Sequence, residues 1–163
     1  CMTVFSIDMR NADVICDNAH IIEEMSKTYD LDPSLIIAVG RIESAWTPTA
    51  KSPANACGIM QVLPKYSKKF ANKGRNLTCK ELKDPETSIR VGTKILSYWL
   101  HKYAKGNETT ALCGYNAGFR CKGDNKNKQG LKYAKAVLKY RKYFKRKMRI
   151  QKRKYKNEMF ANH

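Results

Sequence analysis

Asp32-Pro33-Ser34-Leu35-Ile36-Ile37-Ala38-Val39-Gly40-Arg41-Ile42-Glu43-Ser44-Ala45-Trp46 is the stretch that decides the fold. Asp32 is an N-cap acceptor and Pro33 a ring already fixed at helical φ, so a helix begins here and is predicted to run to about Ala45. Leu35, Ile36, Ile37, Ala38, Val39 and Ile42 leave little polar face, which predicts a central, buried helix. Glu43 is carried with them into the interior or onto a cleft wall, with Trp46 beside it as a candidate low-dielectric lid. A carboxyl in apolar surroundings holds its proton to higher pH, by ~2 units in known cases. Glu43 is therefore a candidate general acid.

Outward from this helix the chain reads as helical throughout, with no sustained period-two pattern and no internal repeat. On the N-terminal side, Asp17 is the expected cap of a helix reaching about Tyr29, with Ile21, Ile22 and Met25 on its apolar face. On the C-terminal side, Thr47 to Asn55 reads as a loop and Pro64 opens a short helix. Asn72 to Lys83 is polar and loop-like. Asp84-Pro85 repeats the start signal for what reads as the longest helix, to about Ala104, with Ile89, Ile95, Leu96, Trp99, Leu100 and Tyr103 as a core stripe. A further helix is expected from Asn107 to Gly118, then a loop through Gly123, Asp124, Asn125, Asn127 and Gly130. The last apolar face, from Leu131, carries Tyr133, Ala136, Val137, Tyr140 and Phe144. The fold class is all-α, divided into a domain over residues 1–143 and a basic helical tail over 144–163.

At 163 residues and 42% hydrophobic content the chain is long enough for one core, against about 150 residues per domain. The longest apolar run, Leu35 to Gly40, is far short of the ~20 residues of a membrane span, so no transmembrane segment is expected and the chain reads as soluble. No charged-then-apolar signal segment opens it, although a first residue of Cys1 leaves processing and compartment open. The formal net charge of +18 is uneven: residues 1–124 hold 17 basic and 13 acidic side chains, while 125–157 hold 15 basic and no acidic ones. A block of that kind seeks a polyanion: nucleic acid, an anionic envelope polymer or an acidic protein. A solvated helix face is the plainer alternative. Six cysteines suit an oxidising compartment, with buried free thiols as the alternative. No Cys-x-x-Cys pair occurs and the histidines lack ligand spacing, so neither a metal nor a cofactor is expected.

Glu43-Ser44-x-Trp46, Ser52, Gly58-Ile59-Met60-Gln61 and Gly114-Tyr115-Asn116-Ala117-Gly118, with Asp84-Pro85 between them and Tyr133-Ala134-x-x-Val137 after, occur in one order. Together they resemble the soluble lytic transglycosylase family, lysozyme-like enzymes that cleave peptidoglycan glycan strands. The resemblance spans roughly Ile21 to Tyr140. It implies that Glu43 is a single catalytic acid and base acting on the β-1,4 bond between N-acetylmuramic acid and N-acetylglucosamine. Ordinary glycosidases use a second carboxylate; none accompanies these fragments, which fits assistance by the substrate's 2-acetamido group and a 1,6-anhydromuramic product.

By the same resemblance Ser52 and Gln61 bind substrate, and Tyr115 orients Glu43 or the acetamido group. Asn116 braces the loop at the substrate site, Ser44 braces locally, Met60 packs the cleft floor with Ile59, and Gly58 and Gly118 occupy positions that a Cβ would obstruct. Asn55, Cys57, Leu63 and Gln129 depart from the family pattern, as does Phe119-Arg120-Cys121 after the glycine. Cys57 and Cys113 precede two segments expected to meet at the cleft, and a bridge between them would stiffen it. The implied site of action is the periplasm or cell wall, reached by secretion or by phage delivery in the manner of an endolysin. Two other readings share these residues: a goose-type-like muramidase that directs water to the anomeric carbon, and a non-catalytic polyanion-binding module on the same fold.

Overall fold

Asp32 accepts a hydrogen bond from Ser34 N at 3.0 Å, Pro33 fills the first turn, and the helix Pro33–Ser44 forms as its caps dictate. In the computed structural model, which describes residues 10–121 and 127–161, this is α3 of seven α-helices among the described residues. The others are α1 (Ala12–Asp17), α2 (Ala19–Thr28), α4 (Cys79–Leu82), α5 (Pro85–Ser97), α6 (Glu108–Ala117) and α7 (Lys128–Ala161). The described residues contain no strand longer than isolated bridges, Lys51 with Cys57 and Cys57 with Val62. The architecture is all-α.

Ser34 through Gly40 are buried, and α7 closes over α3 from the C-terminal half of the chain while packing on α6. Tyr133, Ala134, Val137 and Phe144 of α7 enter this core. A charged lock fixes α7 in place: Arg141 bonds Glu108, and Lys145 Nζ stands 2.7 Å from Asp32 Oδ2. Trp46 turns back beneath α3, fully buried, its indole N–H donating to the Ile37 carbonyl at 3.0 Å.

Several elements differ from the sequence reading. The helix expected from Asp17 to about Tyr29 is α2, but it starts at Ala19 after Asn18; Asp17 instead ends α1, a helix not expected, where Asn18 Nδ2 donates to the Val14 carbonyl at 2.8 Å. The stretch read as loop over 72–83 contains α4, whose Thr78 and Glu81 form a reciprocal capping box. The helix after Asp84 is not the longest; α7, at 34 residues, is. It begins at Lys128, where the Asn127 side chain accepts from Gly130 N, so Gly130 is helical. Gly123, Asp124 and Asn125 lie outside the described residues.

α5 continues through Tyr98–Tyr103 as a π-helical turn, with Ala104 N reaching back five residues to the Trp99 carbonyl at 2.8 Å. Widened turns of this kind recur at functional sites. Here the turn brings the Trp99 and Tyr103 rings edge to face at 4.7 Å between centroids.

The expected Cys57–Cys113 bridge is absent. Cys57 pairs with Cys79, and Cys113 with Cys121, at Cα separations of 5.5 and 5.7 Å. Each bridge staples its own local segment: Cys57 to the first turn of α4, and Cys113 of α6 to the turn Gly118–Cys121 that follows. Among the described residues no cysteine is free.

Candidate active site

Glu43 sits in the last turn of α3, two residues before the chain turns left-handed at Ala45 and Trp46, with φ of 51° and 61°. Ser44 ties that end to the next segment: its hydroxyl donates to the Ile59 carbonyl at 2.9 Å and accepts from Thr47 N at 3.2 Å. Ile59 lies in Gly58–Gln61, itself held by Gly58 N on the Ala50 carbonyl and Met60 N on Ser88 Oγ. Gly58 is required here. Its φ is +77°, and a Cβ built on it would stand 1.8 Å from the Leu82 carbonyl oxygen. Gly118 differs from expectation: nothing lies within 4 Å of a Cβ there, and the constraint is its φ of +63° alone.

Burial pushes the Glu43 carboxyl up to about 7, opposed by a hydrogen bond from Tyr133. The Tyr133 hydroxyl donates to Glu43 Oε1 at 2.6 Å. Tyr115, expected to orient the acid, donates to the Met60 carbonyl at 2.8 Å instead. It nevertheless lies within reach of the Glu43 charge: burial first, and the carboxylate second, hold the Tyr115 phenol well above its ordinary value. Tyr133 is held up by the same two causes. Both phenols therefore remain protonated donors at neutral pH.

A cleft of about 710 Å³ opens beside this group, lined on one side by Gln61, Leu63, Tyr115 and Asn116. That volume is within the roughly 300–1,000 Å³ of small-ligand sites. Glu43 is not itself part of the cleft wall; Tyr115 lines the cleft and bonds the Met60 carbonyl through its hydroxyl. Gln61 adopts a left-handed φ of 47°, sustained by its amide nitrogen donating to the Gly58 carbonyl at 2.9 Å. Asn116 is exposed on the wall.

The remaining expected site residues are placed otherwise. Ser52 Oγ accepts from Ala56 N at 3.1 Å and braces the turn before Cys57; it is not among the residues lining the cleft. Ile59 and Met60 are fully buried, so Met60 serves the site through its carbonyl and not its side chain. Two contributions escaped the sequence reading. Tyr133 was read as core, although Tyr133-Ala134-x-x-Val137 was the signal that pointed to it. The α5 stripe was also read as core, yet its Ile95 and Trp99 line the cleft, together with Tyr98, which was not singled out.

An all-α domain with one buried, proton-holding carboxyl beside an aromatic cleft is what fold and site define. The chain belongs to the transglycosylase SLT domain family, which residues 20–138 match. It is 37% identical over 93 residues to the soluble lytic murein transglycosylase of Escherichia coli K12, covering 55% of this chain and 14% of that protein. It is 34% identical over 108 residues to membrane-bound lytic murein transglycosylase C of Glaesserella parasuis, covering 60% of this chain and 30% of the relative. Among solved structures, an inactive mutant of the lytic transglycosylase Slt of Pseudomonas aeruginosa superposes with a TM-score of 0.72 at 27% identity, over 80% of this chain and 24% of the other. The chain thus spans less than a third of the length of each of these relatives.

Proposed function

We propose that the chain is a peptidoglycan lytic transglycosylase in which Glu43 alone serves as acid and base. Glu43 gives its proton to the glycosidic oxygen as the bond from C1 of N-acetylmuramic acid to O4 of N-acetylglucosamine breaks. The carbonyl oxygen of the muramic 2-acetamido group supports the positive charge left at C1. The ionised Glu43 then takes the proton of the sugar's own 6-hydroxyl, whose oxygen closes on C1 and displaces the acetamido oxygen. Glu43 ends protonated, as it began. One strand end is a free 4-hydroxyl, the other a 1,6-anhydromuramoyl residue, and no water is consumed.

The observation that carries this reading is the buried Glu43 carboxyl, raised to about 7 and held by Tyr133, beside a cleft with no acidic residue in its described lining. A proton affinity near neutrality suits a group that must give and then regain a proton. The test is mass spectrometry of purified peptidoglycan after digestion, with anhydromuramoyl ends expected. Reducing ends without anhydro sugar would establish the muramidase reading, and wall clearing undiminished in Glu43→Gln would remove the acid role altogether.

Such a substrate places the action in the periplasm or cell wall, and the disulfides among the described residues suit that oxidising setting. None of the described helices is long and apolar enough to cross a membrane. The division into a domain over 1–143 and a tail over 144–163 belongs to this proposal, as does a role for the basic segment 125–157 in holding an anionic envelope polymer. Co-sedimentation with such a polymer should fall steeply with salt; retention independent of salt would refute the tail's role.

A further inference from the structure

The cleft has a charge pattern that the cleavage chemistry leaves unused. Lys65, Lys69 and Arg120 line it, and no Asp or Glu is among the described lining residues. Lys69 Nζ lies 4.1 Å from the centroid of Tyr98, a ring of the cleft wall. Arg120 Nε donates to the Ala117 carbonyl at 3.1 Å. That bond fixes the guanidinium plane, and no ion pair with a described carboxylate occupies its remaining donors.

Beside Arg120, Phe119 is 66% exposed, an unusual position for so apolar a ring. It is held by Trp99 and Tyr103 at centroid distances of 5.3 and 5.6 Å. Both residues ride on the turn Gly118–Cys121, closed onto α6 by the Cys113–Cys121 bridge. This short, cross-linked turn presents an aromatic face and a planar cation at fixed positions. A face of that kind suits the apolar side of a sugar ring, and the guanidinium fork suits a carboxylate.

Resting on the reading of the substrate as peptidoglycan, we infer that this wall is a specificity site for glycan strands that still carry their acidic stem peptides. Phe119 stacks on a sugar ring, and Arg120, with Lys69 of the same cleft, takes a peptide carboxylate. Strands stripped of peptide offer the stacking partner without the anion.

Binding separates this inference from the cleavage reading. Three soluble oligosaccharides of equal length serve as probes for the Glu43→Gln protein: peptide-bearing, stripped by an amidase, and peptide-bearing with the carboxylates amidated. The peptide-bearing strand should bind about tenfold tighter than either of the others, the scale of one charge-assisted hydrogen bond. Arg120→Gln should cut that ratio below about threefold, Lys69→Gln should lower it in the same direction, and Phe119→Ala should weaken all three probes alike. A ratio near one, or a ratio intact in both charge variants, overturns the inference; binding unaffected by Phe119→Ala overturns its stacking half. Anhydromuramoyl products with a ratio of one would leave the cleavage reading standing alone. A preserved ratio without such products would do the reverse.

Discussion

The Tyr133 hydroxyl stands 2.6 Å from Glu43 Oε1, across 90 residues of chain. One bond thus joins the helix that buries the acid to the helix that closes over it, and it opposes the effect of burial on the acid's proton affinity. Burial raises the proton affinity of Glu43, and the bond that holds its carboxyl in place tempers that rise.

Removing that hydroxyl separates the two. In Tyr133→Phe the carboxylate loses a donor that favours its charged form, so its pKa rises further above about 7. The alkaline limb of the pH profile of kcat/KM, which reports loss of the protonated acid in the free enzyme, should move to higher pH. The plateau should fall roughly ten- to a hundredfold as the carboxyl loses its orientation. A limb that stays in place or moves to lower pH would contradict this role for Tyr133.

Glu43 also bears on stability, with a sign opposite to that of a paired carboxylate. Its folded pKa, about 7, lies above the ordinary 4.5, so between those values the folded state binds more protons than the unfolded one. Stability from this group is complete below about pH 4.5 and is lost as pH rises through about 7, by about 3 kcal/mol in all. Glu43→Gln, which cannot ionise, should match the wild type near pH 4 and melt about 5–10 °C higher near pH 8. Thermal unfolding at both pH values checks it, and an equal difference at the two would refute the burial argument.

The two bridges should contribute by the length of loop each closes. Cys57–Cys79 spans 22 residues and Cys113–Cys121 spans 8, for about 3.4 and about 2.5 kcal/mol from chain entropy. Denaturant unfolding of the paired alanine variants should rank them in that order. Loss of Cys113–Cys121 should in addition raise KM more than it lowers kcat, because the turn it closes lines the cleft at a distance from the acid. The opposite split would place that turn in the chemistry.

Gly58 and Gly118 both have positive φ but differ in surroundings. Gly58→Ala sets a Cβ 1.8 Å from a backbone oxygen, and should cost more than about 4 kcal/mol or prevent folding. Gly118→Ala meets no neighbour and should cost only the backbone strain, about 1–3 kcal/mol. Equal destabilisation measured by thermal unfolding would contradict this account.

The caps at Asp32-Pro33 and Asp84-Pro85, the buried α3 and the seat of Glu43 at its end were legible in the sequence, because each depends on neighbours within a few residues. Local signals also have limits. Thr78 and Glu81 form a capping box within a stretch whose polarity read as loop, and Asp17, read as the start of a helix, is the end of one.

The acid's partner, the cysteine pairing and the share of α5 in the cleft lining were decided only in three dimensions. Tyr133 and Tyr115 are both aromatic residues on helices, and nothing within either segment says which hydroxyl reaches Glu43 and which Met60. Trp99 satisfies the spacing of a core stripe while it also lines the cleft, since 3.6-residue periodicity marks a buried face and not what borders it. Sequence alone determined an all-helical chain with one carboxyl carried inward, for helix caps and apolar periodicity are local energies. Tertiary packing determined what that carboxyl touches, because contacts across 90 residues form only when whole helices dock.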